Sequence, residues 1–181
     1  MSSFASESGG AAVPRSEDVP EALLDCHARL RQLTGRATAL GASPGATAEA
    51  VREVAEKLYR YLTVSLPLHE EDEETSLFPR LLRHAPELAP TLAALRADHQ
   101  VQAQRVAPLV SLCQRVQRAP EQAAALAGTL AAAAQALQDV FQTHLVSEER
   151  DVFPAVRGVL ADEARAEIRE EMRARRSRLS R

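Results

Sequence analysis

Tryptophan is absent and aromatic residues make up only 3% of a chain that is 45% hydrophobic. Sheets draw on aromatic and β-branched residues, and here Ala and Leu stand in their place, so the composition predicts an all-α protein. Only two cysteines occur, Cys26 and Cys113, far apart and in no Cys-x-x-Cys pair. That excludes a zinc knuckle and a dithiol redox motif and leaves reduced, buried core thiols. Nowhere do about 18 apolar residues run together, and residues 1–10 carry no apolar run behind a basic start. Neither a membrane span nor an export signal is predicted, and the chain reads as cytoplasmic. Charge is not one-sided either: 25 acidic against 22 basic residues give a net charge of -3, no global reason for a nucleic-acid or membrane partner.

With 181 residues the chain suits one compact domain. Residues 1–17, rich in Ser, Gly, Ala and Glu, have the composition of a disordered leader. From Val19 the apolar positions Leu23, Cys26, Leu30, Leu33, Ala37 and Leu40 step by three and four, one face of a helix, which the Gly41, Pro44 and Gly45 cluster ends. A second stripe runs through Val51, Val54, Leu58, Leu62 and Ser65; Pro67 is expected to kink that helix before it resumes to about Leu82. After a break over residues 84–90, a third stripe reads Leu92, Leu95, His99, Gln102, Val106, Leu109, Cys113 and Val116, with a bend expected at Pro108. Pro120 fits the first turn of a fourth helix, whose buried face continues through Leu126, Leu130, Ala133, Leu137, Val140 and His144. These stripes predict an up-down four-helix bundle over residues 18–160. Residues 161–181 read as a short additional amphipathic helix, lying outside the bundle, with a basic tail.

An internal repeat divides the bundle into halves. His69-Glu-Glu-Asp-Glu-Glu-Thr-Ser-Leu-Phe-Pro79 matches His144-Leu-Val-Ser-Glu-Glu-Arg-Asp-Val-Phe-Pro154, with His, Glu, Glu, Phe and Pro at the same offsets. A His and a Glu four apart on a helix project the same way, so His69 with Glu73 and His144 with Glu148 each present an imidazole and a carboxylate together. Glu74 and Glu149 fall about 140° further round the wheel, which points them away from the centre, toward an outer layer or solvent. His27 and His99 lie shortly after their helix starts, and His69 and His144 a similar distance before their helix ends, so all four meet roughly 10 to 15 Å from one end of the bundle. Any one of these histidines alone would be an ordinary core residue. Four on four helices at one depth, with two carboxylates costly to bury unpaired, predict a metal site. His84, in a break, is expected to be exposed.

Mixed imidazole and carboxylate donors suit iron, manganese or zinc, and the lack of thiolates disfavours structural zinc, so iron leads. Six ligands are too many for one metal with an open position but suffice for two, if Glu73 and Glu148 bridge. Positions are then left for a small diatomic or peroxide ligand.

His27, the doubled His-x-x-x-Glu-Glu-x-x-x-Phe-Pro motif and the Asp98-His99 pair resemble the hemerythrin-like proteins with the His-His-Glu cation-binding domain, over roughly residues 20–157. The resemblance implies two iron ions (Fe2+/Fe3+) in a four-helix bundle, with His27, His69, His99 and His144 as terminal ligands and Glu73 and Glu148 as bridges. The chain departs from the oxygen carriers of that family at two points. They carry a second His one turn after the third-helix His, where this chain has Ala103 with Gln102 beside it, so one iron lacks a protein ligand. They also place the last carboxylate five rather than four residues after its His, which leaves both Glu148 and Glu149 open for the role. Reversible oxygen carriage is therefore disfavoured, and a more open site for oxygen, nitric oxide or peroxide is implied. Glu70 either adds an oxygen ligand or belongs to a solvated acidic face.

Three functions stay open on this reading. The first is a di-iron protein that binds or senses oxygen, nitric oxide or peroxide; iron binding or storage is a variant of it. The second is an enzyme with peroxidase-like or nitric-oxide-consuming activity, in which Tyr59, Tyr61 or Gln102 assists. The third is a metal-independent helical interaction module whose Arg173, Arg175, Arg176, Arg178 and Arg181 meet an anionic protein partner, nucleic acid being disfavoured by the interleaved glutamates.

Overall fold

The computed structural model describes residues 18–43 and 45–179; the leader expected over residues 1–17 lies outside the described residues, as do Pro44 and Arg181. The protein is an all-α bundle, with no strand among the described residues. Helix α1 is Val19–Gly41, α2 runs unbroken over residues 48–84, α3 is Ala89–Arg118, α4 spans residues 127–159 and α5 is Asp162–Arg178. Short-range chemistry fixes the starts. The Asp18 carboxylate accepts from the N–H of Val19, and Thr47 Oγ1 accepts from the N–H of Ala50 at 3.2 Å. Proline opens the 3-10 turns Pro86–Leu88 and Pro120–Gln122 that lead into α3 and α4. No helix among the described residues is long and apolar enough to cross a membrane.

Two apolar clusters build the core. One joins Leu30, Leu33 and Ala37 of α1 to Val51, Val54 and Leu58 of α2, Leu109 to Val116 of α3, and Leu130, Leu137 and Phe141 of α4. The other joins Val19 and Leu23 to Leu77, Phe78 and Leu81, Leu92 and Leu95, and Val152, Phe153 and Val156, with Ile168 and Met172 of α5. Along α1, α2 and α3 the histidine falls between the buried residues of one cluster and those of the other, and on α4 His144 stands next to Leu145, where the first cluster ends, so the four imidazoles form a polar layer between two greasy ones. The buried face of α4 passes through Ala134 and Phe141 rather than the expected Ala133 and Val140, which are half-buried. At the far end of α1, Gly41 permits a close approach: a Cβ there would lie 2.2 Å from that of Ala131 on α4.

The disturbance expected at Pro67 takes the form of a wider turn. Three π-helical turns, Tyr61–Ser65, Asp72–Leu77 and Glu148–Val152, each end two residues before a proline, with the i→i−5 bonds Leu66 to Tyr61, Phe78 to Glu73 and Phe153 to Glu148. A proline offers no N–H and crowds the carbonyl four residues back. After the wider turn, Pro67, Pro79 and Pro154 stand in the first turn of a new α segment, where a missing donor costs little. Helix α3 instead carries the exposed Pro108 within one continuous α-helix.

The fifth helix is less solvated than its composition predicts. Ile168 and Met172 are buried, and Arg175 and Arg176 converge on Asp72 of α2, both at 2.7 Å from its carboxylate oxygens. Arg175 also donates to Thr75 and Ser76, and Arg80 of α2 forks onto Glu171 at 2.9 and 3.1 Å. Two of the five cations expected to form an exposed basic patch are thus consumed inside the molecule.

Candidate metal centre

The polar layer holds His27, His69, His99, His144, Glu73 and Glu148, all at most 5% exposed. Each carboxylate divides its oxygens between two histidine pairs. Glu73 places Oε1 3.3 Å from His69 Nε2 and Oε2 3.5 Å from His99 Nε2. Glu148 places Oε2 3.1 Å from His27 Nε2 and Oε1 3.1 Å from His144 Nε2. All four imidazoles therefore turn Nε2 inward. Two overlapping groups result, His27, His69, Glu73 and Glu148, and His99, His144, Glu73 and Glu148, each with donor atoms within 4.8 Å of one another, the reach of one cation.

The residues fit such a cation on their own chemistry. None of the four carboxylate oxygens has a hydrogen-bond partner although all are buried, nor does His27 Nε2. Leaving them so without a cation is costly. Burial, and then the negative charge of Glu148, hold Glu73 well above the usual carboxylate range. Burial acts the same way on Glu148, but the imidazoles of His144 and His27 outweigh it and hold that carboxyl below the usual range. Burial pushes His69 well below the ordinary imidazole value, with the His27 charge adding to it, and so favours the neutral form that can ligate.

The second glutamate of each motif has a separate task. Glu149 Oε1 accepts from His27 Nδ1 at 2.9 Å and from Arg31 at 2.7 Å, and Glu74 Oε1 accepts from His99 Nδ1 at 2.7 Å. These bonds place the proton on Nδ1 and leave Nε2 free to face the centre. The phenylalanine four residues later packs on the same facing imidazole: Phe153 lies 5.3 Å from His27 and Phe78 6.5 Å from His99, ring centre to ring centre. The whole repeat is thereby explained. Its first Glu enters the middle, its second orients the histidine of a neighbouring helix, its Phe walls that histidine, and its Pro restarts the α-helix.

Glu148 is the central carboxylate and Glu149 the outer one, so the spacing of four is the one that points inward. Asp98 stands 3.5 Å from His144 Nδ1, a role its place beside His99 gave no means of assigning. Arg31 was equally unmarked, its only sequence signal being the spacing of four from His27. Tyr61 lies buried at the site, its hydroxyl donating to the Cys26 carbonyl at 3.1 Å and also 3.1 Å from Cys26 Sγ, while Tyr59 turns away toward Gln114. Cys26 is only half-buried, so just Cys113 is the core thiol expected of both. His84 is exposed, as read.

A small pocket opens beside the histidines, and its walls differ. Glu70 of α2 and Gln102 of α3 line it with polar side chains, and Leu30 of α1 and Leu145 of α4 with apolar ones. Glu70 is half-buried rather than on a solvated face; burial, followed by the charge of Glu74, pushes its carboxyl up to about 7. Gln102 is buried and Ala103 exposed, so Gln102 is the residue one turn past His99 that faces the site.

Residues 18–156 match the hemerythrin HHE cation binding domain. No curated protein matches the chain in sequence.

Proposed function

Because the chain belongs to the hemerythrin HHE cation-binding family, we propose that it is a non-heme di-iron protein that binds, senses or reacts with oxygen, nitric oxide or peroxide. The observation that carries this reading is the division of each buried carboxylate between two histidine pairs, with no hydrogen bond to any of its oxygens. His27 and His69 would hold one iron, His99 and His144 the other, and Glu73 and Glu148 would bridge. Nitrogen and oxygen donors without thiolate suit iron, which supplies redox chemistry and open positions for a small ligand. The chain's own part is to fix the imidazoles through Glu149, Glu74 and Asp98 and to keep the centre between apolar layers.

The alternation of helix ends between the two core clusters supports an up-down order for α1 to α4 as the frame of this centre. We place the domain at residues 18–160 and the protein in the cytoplasm, where two free thiols accord with a reducing setting. A metal-independent interaction module gains less support, since Arg175 and Arg176 already hold Asp72.

Metal analysis by mass spectrometry on protein purified without a metal-affinity tag, with optical spectra before and after peroxide, tests the reading. The expected result is two irons per chain, one for each donor group, and new charge-transfer bands. Protein that takes up no iron under anaerobic loading would overturn it.

A further inference from the structure

Position 102 is anomalous on packing grounds. Gln102 is 1% exposed, and neither its carboxamide oxygen nor its nitrogen has a hydrogen-bond partner. It lies three residues after His99 on α3, so it shares the face that presents that imidazole and lines the pocket beside it. The matching position in the first half, three residues after His27, is Leu30, which is buried and lines the same pocket. Leucine fills that place without stranding any polar atom. Packing alone therefore gives no reason for an amide at 102, where a leucine would avoid burying two donors and an acceptor unsatisfied.

Among the other groups that line the pocket, His69 Nδ1 also has no partner, but it is the ring nitrogen opposite the one that faces the carboxylates. The Tyr61 hydroxyl is engaged with Cys26, His99 Nδ1 is bonded to Glu74, and the Nε2 atoms face the carboxylates. Gln102 brings N–H donors that no other group claims and that do not titrate. A buried, unclaimed donor beside positions left open on a metal suits a small electron-rich ligand that accepts a hydrogen bond.

We propose that Gln102 is the residue that receives the exogenous ligand, its carboxamide N–H donating to a small anion or diatomic bound on the His99 and His144 side of the centre. This rests on the di-iron reading above. It makes the two halves of the site unequal: the His99 side offers a hydrogen bond, and the His27 side offers Leu30.

Azide, a small anion with an optical signature on ferric iron, is the probe. The iron-loaded protein, Gln102→Leu and the exposed-site control Ala103→Ser are compared for iron content by mass spectrometry and for azide affinity by optical titration. Gln102→Met is the second donor-free variant should the leucine protein fail to fold. The expected result is unchanged iron content and azide binding weakened at least about tenfold in Gln102→Leu or Gln102→Met, the loss of one hydrogen bond to a charged group, with Ala103→Ser like the parent. Azide affinity equal to the parent's would overturn the proposal, and so would loss of one iron per chain, which would make Gln102 a metal ligand instead. A parent protein without iron would fail the di-iron reading itself, a result distinct from either.

Discussion

Glu74 and Glu149 never reach the middle of the site, yet each fixes the proton of an imidazole that does. Converting either to glutamine keeps the shape and removes the charge that holds Nδ1–H in place. Glu74→Gln and Glu149→Gln are each expected to weaken metal binding roughly 10- to 100-fold while leaving every inward-facing atom intact. Competition against a chelator of known affinity measures this, and parent-like affinity in both variants would contradict the assignment. The inward residues were legible in the sequence because a spacing of four on a helix is a direction in space. The outer glutamates were legible only as pointing elsewhere: the wheel gave their departure from the centre, but which histidine they meet depends on the neighbouring helix. Asp98 and Arg31 were out of reach for the same reason, since their partners lie on other helices.

At the scale of the element, the apolar stripes gave all five helices, while the π-turns and the docking of α5 escaped. Pro67 announced a disturbance whose form, a kink or a wider turn, is chosen by packing around it. Asp72 has acids on both sides in the first copy of the repeat and nothing local to set it apart from them, although it is 1% exposed and clasped by two guanidinium groups. Burial pushes its carboxyl up even against those cations, so the clasp holds a charge that water has released. Asp72→Ala leaves Arg176 without a carboxylate and Arg175 with only Glu71, Thr75 and Ser76, and is expected to destabilise the protein by about 3 kcal/mol. Denaturant unfolding would read the loss, and hydrogen exchange would place it in α5. A change below about 1 kcal/mol would mean that Ile168 and Met172 hold the helix unaided.

For the whole molecule, the polar layer makes stability depend on what fills it. Without a cation, the raised Glu73 carboxyl and His144, which burial would lower but which Glu148 raises instead, keep protons that a metal must displace. A group whose folded value is raised gives stability that is complete at low pH and fades as pH climbs through that value. The metal-free protein thus loses this contribution toward neutral pH, just where the loaded one binds its cation most tightly. The increase in Tm on iron loading is expected to grow between about pH 5.5 and 7.5, followed by scanning calorimetry with and without iron. An increment that is flat or shrinks with pH would contradict this account of the layer.

The repeat carries a last consequence. Each histidine pair belongs to one half of the chain and both carboxylates are shared, so the molecule is in effect a helical hairpin joined covalently to its own copy. Two separate copies related by a true twofold axis would build the same six groups, but whatever stood beside one metal would have to stand beside the other. Fusion lifts that constraint. Leu30 in one copy and Gln102 in the other, Leu145 in one and Glu70 in the other, are differences that only a single chain can carry, and they make the surroundings of one donor group chemically unlike those of its twin.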